Sequence, residues 1–261
     1  MTFLLPVIAG MAIRGLVITV LAHLVTIILR FRDPGVLSWV WRIILVTSLI
    51  SPVFPPIHGI GIKAPNFSGS LPVFGTITPA LEVSTSNVVP QMQLPSHVYG
   101  LIFWISCVYG GGVFYFIGSM LTGLVVAARL CQQARPVLID RKGASVRSSD
   151  RVASPVVFGK TILLPQEYTE WTEATLTQAL THEEAHIRHH DFGFLLLSAV
   201  NRAFFWFNPA AWWLHRKLAT LAEFRSDDAV LNKFSDSSSY ARTLLDLAVK
   251  PRLTIPLTMA N

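Results

Sequence analysis

Two histidines four positions apart, His182 and His186, with Glu183 directly after the first, form HEEAH within the segment THEEAHIRHHD, Thr181 to Asp191. On a helix, residues at i and i+4 project from one face a turn apart, so two imidazoles at this spacing can share one metal ion. Glu183, next to the first ligand, can reach a metal-bound water rather than the ion, which is the arrangement a zinc hydrolase needs. A short motif recurs by chance in a Glu-rich helix. Here only 14% of the chain is charged, with 15 acidic residues among 261, which argues against an accidental cluster.

A site of this type needs a third protein group beyond two histidines. The segment EFRSDDAVL supplies one on a second helix, expected from Pro209 through Leu231, with Asn208 as N-cap and Pro209 at the first position, where its missing N–H costs nothing. Glu223 and Asp227 lie on one face of it at i, i+4. Glu223 is the candidate third ligand. Asp227 would orient a ligand histidine through its free ring nitrogen, and Asp191 is a second candidate for that supporting role. His189, His190 and His215 stay unassigned; His215 and Tyr240 are within sequence reach of a scissile carbonyl oxygen.

These residues must be carried by defined elements. Thr169 to Asp191 reads as a helix with Thr169 as N-cap and Glu170 and Glu173 in its first turn, favourable for the helix dipole. Upstream, ASPVVFGKTILLP, Ala153 to Pro165, reads as a strand pair or bent strand broken at Gly159. It is a structural hairpin, an edge to which an extended peptide adds, or both. Phe192 to Phe207 is apolar and aromatic but holds Asn201 and Arg202. It is expected as an interfacial or re-entrant helix, with Phe204, Phe205, Trp206, Trp212 and Trp213 at headgroup level and a buried core helix as the alternative.

The rest of the chain points to a bilayer. Its 52% hydrophobic and 14% charged residues lie above and below the roughly 45–50% and 25% of globular proteins, and mean hydropathy is +0.51. Apolar runs at 3–29, 36–54 and 98–130 are expected to span the membrane, with the loop 55–97 between the second and third. Arg14 and His23 interrupt the first span, either facing a polar cavity or a partner or, in a long tilted helix, with Arg14 snorkelling or packed against protein. Arg42 lies about two turns into the second span, where snorkelling is the ordinary account. Small residues Gly110, Gly111, Gly112, Gly118 and Gly123 would let neighbouring helices approach the third. Arg129, Arg135, Arg141, Lys142, Arg147 and Arg151 oppose only Asp140 and Asp150, so this segment is expected on the cytoplasmic side. The N-terminus is then outside, the loop 55–97 extracytoplasmic, and 131–261 a cytoplasmic or membrane-interface domain. The net charge of +6 is not gathered into a basic module with aromatics, so direct nucleic-acid binding is not expected. Cys107 and Cys131 give no disulfide framework.

SPVVFGKTILLP, HEEAHIRHHD, FNPAAWW and EFRSDDAVL, in this order after three apolar runs, make the chain similar to the BlaR/MecR-type antirepressor membrane metallopeptidases, relatives of the CAAX-processing and HtpX-type membrane gluzincins. The resemblance implies a mainly α integral membrane protein of the bacterial cytoplasmic membrane, with three transmembrane helices and a cytoplasmic zincin-like domain holding a small β element. It implies Zn2+ held by His182, His186 and Glu223, Glu183 as catalytic base and Asp227 in support. The expected activity is cleavage of a polypeptide, a transcriptional repressor, and of the protease itself; the alternative is a non-catalytic signalling scaffold that retains the fold. Family members often carry a cysteine where Ser226 stands. The antirepressors also continue into a fourth span and an extracellular penicillin-binding domain, whereas this sequence ends at Asn261 after a helix expected around Tyr240 to Val249. A β-lactam receptor role is therefore not expected of these residues: either the chain is a fragment, or sensing falls to the outer loop or a separate partner.

Overall fold

The computed structural model of the chain describes residues 4–30, 33–50, 96–141 and 143–234. Most of the expected loop 55–97, the last residues of the expected second span, Lys142, Tyr240 and the helix expected around Tyr240 to Val249 lie outside them.

Three apolar helices come first: α1 (Leu4–Ile28), α2 (Pro34–Ile50) and α3 (Ser96–Gln133). α2 starts where Asp33 accepts a hydrogen bond from the Gly35 amide at 2.7 Å and Pro34 takes the first helical position. Within α3, Val98–Gln133 is the one helix among the described residues long and apolar enough to cross a membrane; Ala12–Ile28 and Pro34–Ile50 are shorter apolar helices. Phe114, Tyr115, Trp104 and Val108 of α3 are exposed.

A small sheet follows, with strands β1 (Arg135–Pro136), β2 (Ser145–Ser149), β3 (Val156–Phe158) and β4 (Thr161–Pro165) in the order β1-β2-β4-β3. The expected strand pair is the β3–β4 hairpin, antiparallel, turning at Gly159 with a φ of 63° that favours glycine. β2 was hidden in the basic segment; it pairs in parallel with β4, Val146 opposite Ile162 and Ser148 opposite Leu164. Arg147 of β2 donates to the Cys131 and Ala134 carbonyls at the end of α3. One face of the sheet packs on Leu130 and Cys131 of α3, and Ile162 and Leu164 meet Leu180.

A 3₁₀ turn at Gln166–Glu170 leads to α4 (Glu173–Arg188), then α5 (Asp191–Phe204) and α6 (Pro209–Lys233). The α4 cap is Thr172, whose side chain accepts from the Thr175 amide, rather than the expected Thr169, because the chain around Trp171 is extended. α4 also stops three residues before Asp191, where His190 adopts a left-handed φ of 57° and turns the chain into α5. Asn208 and Pro209 open α6 as expected, Asn208 accepting from the Ala210 amide and donating to the Ala12 carbonyl of α1. α5 buries Ser198, Ala199, Asn201, Arg202 and Ala203, and of its large apolar residues only Phe204, at its end, is exposed. The largest core cluster joins Trp41, Ile44 and Leu45 of α2 to Leu214, Leu218 and Leu221 of α6.

Candidate metal centre

α4 presents His182 and His186 one turn apart, their ring centroids 5.0 Å from each other. α6 packs alongside and brings Glu223 to both: its carboxylate oxygens lie 3.5 Å from Nε2 of His182 and 3.8 Å from Nε2 of His186. Ligand atoms of the three residues fall within 4.8 Å of one another, a cluster able to hold a metal ion. Tetrahedral ligands about 2.0–2.1 Å from zinc stand roughly 3.3 Å apart, so the donor set is slightly open but of the right size.

The other ring nitrogens are occupied. Nδ1 of His182 lies 3.2 Å from Asp227 of α6, and Nδ1 of His186 lies 2.9 Å from Oδ2 of Asp191 at the start of α5. A carboxylate at Nδ1 keeps the proton there and leaves Nε2 as the free donor. Both Nε2 atoms face Glu223, so the nitrogens available to a metal are the converging ones. The Ser226 hydroxyl, fully buried, stands 3.2 Å from Nδ1 of His186 and so touches a candidate ligand.

Charge follows this geometry. Burial alone would lower the His182 pKa, but hydrogen bonds to Asp227 and Glu223 and the nearby Glu183 charge push it up to about 10. The hydrogen bond from His182 holds Glu223 below its usual range. Burial raises Glu183, which is 8% exposed, against the opposing pull of both histidines. A raised carboxylate is suited to taking up and returning a proton near neutrality.

Asp191, the second sequence candidate for a supporting role, is buried against His186; burial would raise its pKa, but His186, Arg225 and Arg42 together hold it down. Sequence reasoning fell short at Arg42. Arg42, expected to snorkel from α2, is instead 4% exposed, its Nη2 2.5 Å from Oδ1 of Asp191 and its Nη1 donating to the His189 carbonyl at 2.9 Å. Arg225 of α6 bonds the same oxygen. The correction has a plain cause: Asp191 lies 149 residues along the chain from Arg42, so no local pattern marks the pair. His215 is buried, with Nδ1 2.7 Å from the Ser198 hydroxyl between α5 and α6.

Beside the cluster lies a cleft of about 820 Å³ lined by Arg141, Gly159, Lys160, Glu184, His186 and Phe192. It runs past the turn of the β3–β4 hairpin, and β3 is the outer strand of the sheet on that side. Phe158 of β3 packs edge-on against Phe192 at 5.0 Å.

The family model described as BlaR1 peptidase M56 matches residues 6–260. The chain belongs to that family. No curated protein matches it. Membership in the BlaR1 peptidase family carries a peptidase identity at the level of the family, consistent with a role in membrane signal transduction. It also covers all four sequence blocks on which the resemblance rested, since Ser154 to Leu231 fall inside the matched range.

Proposed function

We propose that the chain is a membrane-embedded zinc endopeptidase that cuts a cytoplasmic regulatory protein of repressor type, and itself. The observation that carries this reading is the convergence of His182 Nε2, His186 Nε2 and the Glu223 carboxylate while both Nδ1 atoms are held by aspartates. His182, His186 and Glu223 would hold the ion. When bound, zinc supplies Lewis acidity, lowering the pKa of water to about 7 and polarising a carbonyl.

The remaining work falls to the chain. Glu183, buried with a raised pKa, takes a proton from water as that water's oxygen bonds to the scissile carbonyl carbon, and returns it to the amine as the C–N bond breaks. Asp227 and Asp191 fix the two rings so that no reorientation is needed. β3, an edge strand among the described residues, would accept a substrate in extended form along its outer side, which the adjacent cleft would receive.

Membrane placement rests on α3 and on charge. Val98–Gln133 is 36 residues long, about 54 Å at 1.5 Å per residue, against a hydrocarbon core of about 30 Å. Its exposed aromatic residues need an apolar surrounding, and its far end reaches the sheet that carries the basic segment. With α1 and α2 as further spans, the N-terminus lies outside and the metal centre on the cytoplasmic side.

The test is metal analysis and hydrolysis of a repressor-type substrate by the detergent-purified protein, with Glu183→Gln as the comparison. One zinc per chain, chelator-sensitive cleavage, and a Glu183→Gln variant that keeps zinc but loses cleavage at least about a hundredfold are expected. Retained cleavage in Glu183→Gln, or loss of its metal, overturns the role assignment.

A further inference from the structure

The carboxylate that orients His186 does not sit on the helix that carries His186. Asp191 is the first residue of α5, across a two-residue corner in which His190 is left-handed. Backbone bonds hold this corner locally, the His190 N–H donating to the Ile187 carbonyl and the Gly193 and Phe194 amides donating to the His190 carbonyl. One side chain from a distant apolar helix bridges its two ends. Arg42 forks across the corner: Nη1 binds the carbonyl of His189, the C-cap of α4, and Nη2 binds Asp191 on α5. Its guanidinium also lies over the Phe194 ring, 4.1 Å from the centroid.

We propose that Arg42 of α2 is a positioning residue for the metal centre, setting His186 through Asp191. Charge accounting supports a role beyond packing. Arg42, Arg225 and Asp191 are 4%, 6% and 2% exposed, two cations against one anion in a buried cluster. Burial of such a group costs several kcal/mol, and well-packed apolar residues of similar volume commonly do as well or better for stability. The fork does what an apolar residue cannot. It locks the distance between the end of α4 and the start of α5, and with it the 2.9 Å contact between Asp191 and His186. Arg225 alone does not replace it: among the described residues it bonds Asp191 while the His189 carbonyl is bound by Arg42, and it belongs to α6, the helix that already carries Glu223.

The inference rests on the metal-centre reading, and the experiment separates the two. Zinc affinity is measured by competition with a chromophoric chelator on the full chain in detergent, for the parent, Arg42→Met, Asp191→Asn and the double variant. Melting of each chelated protein and the visible absorption of each Co2+-loaded protein are recorded in parallel. Arg42→Met and Asp191→Asn should each weaken zinc about 10 to 100-fold. The double variant should fall no more than about threefold below the weaker single one, since both substitutions break the same path. The cobalt spectrum should shift in both single variants. If Arg42→Met does not fold, Arg42→Lys carries the test. It keeps the stem and charge but cannot fork, and should lose about threefold to tenfold in affinity without a change in the chelated protein's melting. Parent-like affinity in folded Arg42→Met, or in Arg42→Lys where Met fails, overturns the proposal and leaves the metal centre standing. So do losses that multiply in the double variant. A parent that binds no zinc overturns the metal-centre reading, and this inference with it.

Discussion

His182 lies between two carboxylates, Asp227 at Nδ1 and Glu223 at Nε2, and in the metal-free protein they raise its pKa to about 10. A raised folded-state pKa adds stability that is fully present below the ordinary value of 6.5 and is lost as pH rises towards about 10. Asp191, held down, acts in the opposite sense: its contribution is present above its ordinary value of 3.8 and disappears as pH falls below that. Chelated protein should therefore lose stability both in acid and between about pH 6.5 and 10, and denaturant melts across that range check it. Because zinc must displace the His182 proton, affinity should rise with pH over the same upper window. Glu223 and Asp227 provide a sharper contrast. Glu223→Ala should lose zinc as severely as His186→Ala, whereas Asp227→Ala should cost about 10 to 100-fold, as an orienting group does. Zinc titration of the three variants side by side decides it; parent-like binding by Glu223→Ala would move the third ligand elsewhere.

At the scale of elements, the glycines of α3 are not equivalent. A Cβ at Gly112 would overlap the indole of Trp206, whereas one at Gly110, Gly111, Gly118 or Gly123 would meet nothing within 4 Å. Gly112 is where α3 approaches the turn between α5 and α6, supported by the Tyr109 hydroxyl on the Phe204 carbonyl. Gly112→Ala should destabilise by about 1–3 kcal/mol through overpacking, and Gly111→Ala should be neutral or slightly stabilising; thermal melts of the two in one detergent distinguish them. Sequence reading found the glycine run but not the one member that matters, because the contact lies with a residue 94 positions away. The same boundary separates what else was legible. HEEAH, the Asn208-Pro209 helix start and the Gly159 turn are written in adjacent residues, and each is found where expected. The i, i+4 pair on EFRSDDAVL correctly brought Glu223 and Asp227 to His182, since a helical face is itself a local property. β2 escaped because its pairing with β4 is parallel and non-local, and SVRSS has too little apolar alternation to declare a strand. Arg42 escaped because an arginine in an apolar run looks the same whether it reaches for water or for a buried aspartate.

Across the whole molecule, composition divides the chain near residue 130, and the hydrophobic core crosses that division. Trp41, Ile44 and Leu45 from α2 close against Leu214, Leu218 and Leu221 from the helix that presents Glu223. Ala12 of α1 packs with Phe205 and Ala211 in the same manner. For anyone wishing to make residues 131–261 alone in soluble form, this has a practical meaning. A fragment beginning at residue 131 would bring three buried leucines into water, at roughly 1.5–3 kcal/mol each, a sum comparable with the entire stability of an ordinary domain. It would also lose the Arg42 fork. Such a fragment should emerge from expression as aggregate or as a chain without a cooperative melt, and no choice of buffer restores what the missing helices contribute. The apolar helices supply the other half of the interior behind the candidate metal centre, and recombinant work on this chain has to begin in detergent or lipid.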